Sequence, residues 1–157
     1  MHSIELDAFD RRLLQALQNN SRLPSLELAE RVRLSASQCQ RRMKKLEDAG
    51  VIERYTAVLN RAKTGFEVMA VITVRLEKHG RFPSQEFKEA IDRYPQILEC
   101  WATTGDCDYI LKVVTRDLNT FTVFLMDELL GLPIVASVKS SILLQQLKAT
   151  TALPLDI

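Results

Sequence analysis

Net charge, cysteine, histidine and long apolar runs are all scarce in this chain. Its 21 Lys and Arg nearly balance 20 Asp and Glu, for a formal charge of +1. The molecule is therefore no polycation, and any nucleic-acid site must arise from local clustering of charge. The three cysteines, Cys39, Cys100 and Cys107, are odd in number, far apart and without a CxxC pair. That excludes the usual secreted disulfide framework and favours a reducing cytosol. His2 and His79 are the only histidines, which leaves a zinc site short of ligands, so neither metal nor cofactor is expected. The N-terminus carries acids and no apolar signal-peptide segment, and no apolar run is long enough to span a bilayer. There is no nucleophile paired with a base and no phosphate loop; Asp106 and Asp108 form a carboxylate pair without an evident acid–base partner, so no enzyme is expected.

What is present divides into two halves. With 157 residues, the chain can form one ordinary domain or two small ones. Residues 1–60 read as helices. Phe9, Leu13, Leu14 and Leu17 share one face of a helix capped by Asp7. Ser25 is placed to cap a short second helix carrying Leu28, Ala29 and Val32. Ser35-Ala36-Ser37-Gln38 is a capping box that opens a third, with Cys39, Met43 and Leu46 facing inward and Gly50 as its stop. The short turn Arg33-Leu34 between the second and third makes a helix-turn-helix, and the alternation from Val51 to Leu59 suggests a small β wing.

The polar stretch Asn60–Gly65 is the expected linker. Residues 66–157 read as β-α-β-β-α-β. Ala70, Ile72, Val74 and Leu76 alternate along a first strand. A helix capped by Ser84 carries Phe87, Ile91 and Tyr94. Strands at 97–104 and 109–115 flank the turn Gly105-Asp106-Cys107-Asp108. Phe121, Phe124, Leu125 and Leu129 mark a second helix, and a last strand runs from Val135 to Leu147. The fold class is thus α+β: an N-terminal winged helix-turn-helix and a C-terminal ferredoxin-like βαββαβ domain. Its helices cover one face of the sheet, so a second copy of the chain is the economical cover for the other.

Between Arg31 and Lys45 there are six basic residues (Arg31, Arg33, Arg41, Arg42, Lys44, Lys45) and no acid. On the third helix Ser37, Gln38, Arg41, Lys44 and Lys45 lie opposite the apolar side. Such a helix fits the DNA major groove with its N-terminal side chains at base edges. Ser35, which opens the helix, is counted among the DNA-binding residues; Ser37, Gln38 and Arg41 are candidates for base contact, and Arg42, Lys44, Lys45 and Arg54 for phosphate. Of the cysteines, Cys39 reads as core, and Cys107, on its turn, is the better candidate for redox sensing.

These residues resemble the Lrp/AsnC (leucine-responsive, feast/famine) regulators. The markers are Asp10-Arg11-Arg12-Leu13-Leu14, Leu34-Ser35-Ala36-Ser37-Gln38-Cys39, Arg42-Met43-Lys44-Lys45-Leu46-Glu47, Gly50-Val51-Ile52, Tyr55–Asn60 and Gly105–Tyr109. The resemblance implies a homodimer joined through the C-terminal domains, assembling further to tetramers or octamers. It implies binding to double-stranded DNA in the cytoplasm, without a membrane. It also implies a small effector, an amino acid or related metabolite, held between C-terminal domains. That site carries over onto Thr104, Gly105, Asp106, Cys107, Asp108 and Tyr109, with help from Ser140. Arg33 stands where the family has Gly, Ile134 where it often has Gly, and Val138 where it tends to have Thr. The competing expectation is a DNA-coating protein that needs no effector.

Overall fold

A computed structural model of the chain describes residues 5–77 and 83–155; His2 and His79 lie outside them. The chain forms two compact units, Met1–Val58 together with Lys148–Ile157, and Leu59–Leu147. The sequence pattern carries the second domain through to residue 157. Instead, residues from Lys148 onward group with the first unit, because Leu155 packs against that unit's core.

In the first unit α1 spans Ala8–Asn19, α2 Ser25–Val32 and α3 Ala36–Asp48. Each buries the stripe its 3.6-residue period dictates. Leu13, Leu14 and Leu17 of α1 meet Leu28, Ala29 and Val32 of α2 and Cys39 and Leu46 of α3. Asp7 caps α1 by accepting from the Phe9 and Asp10 backbone N–H groups at 2.8 Å each. The N-cap of α2 is Pro24 rather than Ser25, and Ser25 makes no capping bond. Proline fixes φ near its helix-entry value and so opens the helix one residue early. α3 ends as expected: Gly50 takes φ 69°, its N–H donates to Glu47 O at 2.9 Å, and Val51 N–H donates to Leu46 O at 2.8 Å.

The turn between α2 and α3 closes the same way, but on an arginine. Arg33 adopts φ 59° and ψ 49°, with its N–H donating to Glu30 O and Leu34 N–H donating to Ala29 O at 3.0 Å. The left-handed conformation strains a residue with a Cβ. Arg33→Gly should therefore raise the unit's stability by roughly 0.5–1 kcal/mol, after the extra entropy of glycine in the unfolded chain is counted. Chemical denaturation checks this, and a lower midpoint would show that the guanidinium contributes more than the strain removes. The stretch 51–59, expected as a wing, is exposed from Glu53 onward and takes no strand partner among the described residues.

The second unit is an antiparallel sheet in the order β2-β3-β1-β4, with β1 at Val68–Leu76, β2 at Ile97–Ala102, β3 at Tyr109–Thr115 and β4 at Val135–Ile142. β4 is shorter than the alternation suggested. α4 (Pro83–Ile91) contains Ser84 as its second residue, and α5 (Leu118–Val123) runs on into a π-helical turn, Phe124–Leu129. Ala70, Ile72, Val74, Leu111 and Val113 pack under Phe87, Phe121, Phe124 and Leu129 on one face. By register, Met69, Val71, Ile110 and Trp101 fall on the other. Trp101 is 63% exposed there. Among the described residues no helix is long and apolar enough to cross a membrane, and no cluster of residues is suited to hold a metal.

Candidate DNA-binding and effector sites

The capping box of α3 forms as read. Ser35 Oγ accepts from Gln38 N–H at 3.2 Å, while Gln38 Oε1 accepts from Ser35 N–H at 3.0 Å and from the Ser35 hydroxyl at 3.1 Å. Two donors fill the two lone pairs of that amide oxygen. A bidentate contact from Gln38 to adenine, which needs amide oxygen and nitrogen together, is therefore not available while the box holds; the NH2 remains free to donate. Ser35 Oγ also lies 3.1 Å from Ser37 Oγ, so Ser35 is tied into the cap.

With Cys39 and Leu46 buried, α3 leaves Ser37, Arg41, Lys44 and Lys45 exposed. Arg54 is exposed beyond it. Arg31 is taken by Glu27 in an exposed pair at 2.7 Å.

Arg42 requires a correction. Expected at phosphate, it reaches instead across to α1, donating to Asp7 Oδ2 at 2.7 Å and Asp10 Oδ1 at 2.6 Å. Asp10 is 2% exposed, so the pair satisfies a carboxylate that has left water. Phe9 lies beneath, its ring centroid 5.4 Å from the Arg42 guanidinium and 5.0 Å from that of Arg12. The Asp10 N–H, with Arg42, holds the Asp7 carboxyl below the usual carboxylate range. Sequence spacing offered no clear signal for this, since the acids at 7 and 10 have Arg11 and Arg12 beside them as nearer partners. It could not say which arginine would answer.

The far end of α3 is tied to the following segment, where the Tyr55 hydroxyl donates to Glu47 Oε1 at 2.8 Å. Burial, then the Glu47 carboxylate, push this phenol up to about 12. A folded value above the ordinary 10 means the protonated phenol is the bonded form. Its contribution is complete below about pH 10 and lost as pH rises through about 12. An ultraviolet difference titration of the wild type against Tyr55→Phe should yield one phenol with a midpoint near 12. A midpoint at the ordinary value would mean that the bond does not form in solution. Burial also pushes the Cys39 thiol up, which leaves it an inert core residue.

At the effector turn, Gly105 takes φ 115°, a conformation open to glycine alone without strain. The turn is stapled to the end of β1: Asp108 N–H donates to Val74 O at 2.9 Å, Leu76 N–H donates to Asp108 Oδ2 at 2.8 Å, and Arg75 Nε donates to Asp106 O. Thr103, not Thr104, braces it from within, its hydroxyl donating to Cys107 O at 2.7 Å and lying 3.3 Å from Cys107 Sγ. Thr104, Gly105 and Asp106 are exposed and Cys107 is half-buried.

Three of the residues expected at the effector therefore have other engagements. Asp108 spends one carboxylate oxygen on the backbone. Tyr109 stacks on Phe87 with centroids 4.8 Å apart, on the helix-covered side of the sheet. Ser140 pairs with Ile72, whereas the β4 residues level with the turn are Ser137 and Val138, opposite Arg75 and Val74. Ile134 is buried and its carbonyl accepts from Glu77 N–H at 2.9 Å.

Comparison with known proteins accounts for both units. The Lrp/AsnC ligand-binding domain matches residues 69–153 and a winged helix-turn-helix DNA-binding domain matches residues 6–53. The transcriptional regulator AzlB of Bacillus subtilis is 35% identical over 153 residues, covering 98% of each chain. The leucine-responsive regulatory protein of Rhizobium meliloti is 36% identical, covering 92% of this chain and 93% of its own. A Neisseria meningitidis transcriptional regulator crystallised with L-Met superposes with a TM-score of 0.94 at 40% identity, covering 97% of this chain and 98% of its own. An AsnC-family regulator from Agrobacterium tumefaciens gives 0.90 at 34% identity, covering 96% and 98%. With a helix-turn-helix whose third helix turns a basic face outward, and a βαββαβ unit matched along its length, the chain belongs to the Lrp/AsnC family of DNA-binding transcriptional regulators, with an Lrp/AsnC ligand-binding domain.

Proposed function

We propose that this regulator works in the cytoplasm as a homodimer, or a tetramer or octamer built from it, on double-stranded DNA. Each α3 lies in the major groove, and an apolar amino acid bound between C-terminal units at the Gly105 turn changes assembly or DNA affinity. The observation that carries this reading is the division of α3, with Cys39 and Leu46 buried while Ser37, Arg41, Lys44 and Lys45 stay exposed. Arg41 is assigned to a base edge, with Ser37 beside it; Lys44, Lys45 and Arg54 go to phosphates. Arg42 is assigned to holding α3 against α1. The open sheet face, with Trp101 63% exposed, is assigned to the second copy.

At the effector turn the exposed Asp106 carboxylate suits an ammonium group, and Gly105 permits close backbone approach to a carboxylate. Because the Neisseria relative was solved with L-Met, methionine is the first ligand to try. Isothermal titration with each of the twenty standard amino acids, alongside DNA binding with and without them, tests the reading. Heat from at least one amino acid, abolished in Asp106→Ala together with its effect on DNA affinity, supports it. No heat and unchanged DNA affinity across the set would instead indicate a protein that coats DNA without an effector.

A further inference from the structure

Neither DNA contact nor effector binding accounts for the end of the chain, which leaves the second unit at Leu147 and joins the first at Lys148. There Gln18, exposed on α1, pairs with Leu153 in both directions. The Leu153 N–H donates to Gln18 Oε1 at 2.6 Å, and Gln18 Nε2 donates to the Leu153 carbonyl at 3.2 Å. A side-chain amide is here acting as a strand neighbour would. Arg11 Nη1 donates to the Leu155 carbonyl at 3.4 Å, and Leu155 packs against the core of the three helices. Pro154 lies between the two leucines. It holds Leu153 extended and cannot itself donate to a ladder, so this tail is suited to docking as a strap and not to forming helix. Beside it, Leu6, Leu14, Leu17 and Val51 join Leu153 and Leu155 around a cavity of about 520 Å³.

We infer that α1 carries a peptide-docking surface whose occupant is residues 150–155 of the same chain, and that the docked tail is a second tether between the ligand-binding and DNA-binding units. The first tether, residues 53–60, is exposed and without secondary structure. A body held by one such segment turns freely about it, whereas two attachments remove most of that freedom. In a dimer this fixes the separation of the two recognition helices, and hence the distance between DNA half-sites. This consequence rests on the proposed reading of a dimer on duplex DNA.

The test uses full-length wild type, Gln18→Ala and Leu155→Asp, with two readouts: selection from a library of randomised duplex DNA, and hydrogen exchange at the Leu153 amide. Wild type should enrich paired half-sites at one spacing and protect Leu153. Both variants should enrich the same half-site at several spacings, with Leu153 exchange faster by about tenfold or more. Gln18 is on the surface, so its replacement leaves the helical core intact should Leu155→Asp not fold. A single spacing retained in Gln18→Ala after Leu153 exchange has accelerated would overturn the tether. An unprotected Leu153 in the wild type would overturn the docking itself. If wild type enriches no paired half-sites, the dimer reading fails and the tether falls with it, while the exchange rate still decides whether the tail docks.

Discussion

Replacing Arg42 by alanine should destabilise the helix-turn-helix unit by about 3 kcal/mol, yet barely alter how DNA binding depends on salt. The first half of that expectation follows from Asp10, which is 2% exposed and 2.6 Å from the Arg42 guanidinium. Removing the cation leaves a carboxylate out of water that keeps the Asp7 N–H, at 3.4 Å, as a long hydrogen-bond donor. Asp7, exposed and also a cap, is affected less. Thermal or urea unfolding of the full chain measures the destabilisation. The double substitution Asp10→Leu/Arg42→Met should recover most of it, since an apolar pair of similar volume can replace a buried ion pair. The second half separates this role from binding to phosphate. A side chain that neutralises one phosphate adds about 0.9 to the slope of log K against log salt. A fall of that size in Arg42→Ala would return Arg42 to the DNA.

The reverse pattern is expected on the exposed side of α3. Arg41→Ala should weaken binding to the selected operator by about ten- to a hundred-fold, the equivalent of roughly 1–3 kcal/mol for one bidentate base contact, and relax preference at one base position. Lys44→Ala with Lys45→Ala should flatten the salt slope by a little under two, and lower affinity for all sequences alike. None of the three should move the unfolding midpoint by much, because surface substitutions away from caps and buried groups stay within about 0.5 kcal/mol. Filter binding or fluorescence anisotropy at several salt concentrations reads both quantities. Unchanged affinity and slope in Arg41→Ala would remove this face of α3 from the DNA.

Much of the fold was legible because it is encoded over short distances. Capping boxes span three residues, an apolar stripe repeats every turn, and a strand alternates every second residue. The three helices of the first unit, the Schellman end at Gly50 and the βαββαβ order follow from such patterns. The misread details have local causes as well. Pro24 outranks Ser25 as helix opener because its φ is already set. Gln38 is absorbed into the cap it builds, so the same side chain cannot also present its whole amide to adenine. Arg33 shows the opposite balance: the Schellman bonds of the turn hold an arginine left-handed where glycine would be easier.

The amino-acid sequence alone determined the class of protein: two units of different periodicity, a basic helix with no acid between Arg31 and Lys45, and a Gly-Asp turn between paired strands. Tertiary structure decided which charges are spent and where the chain ends. Arg42 meets acids 32 and 35 residues away, and Leu153 meets Gln18 across 135 residues. No periodicity reaches that far. Such pairings depend on which surfaces the packed core brings together, and on the cost of leaving a buried carboxylate or a backbone amide without a partner once it has done so.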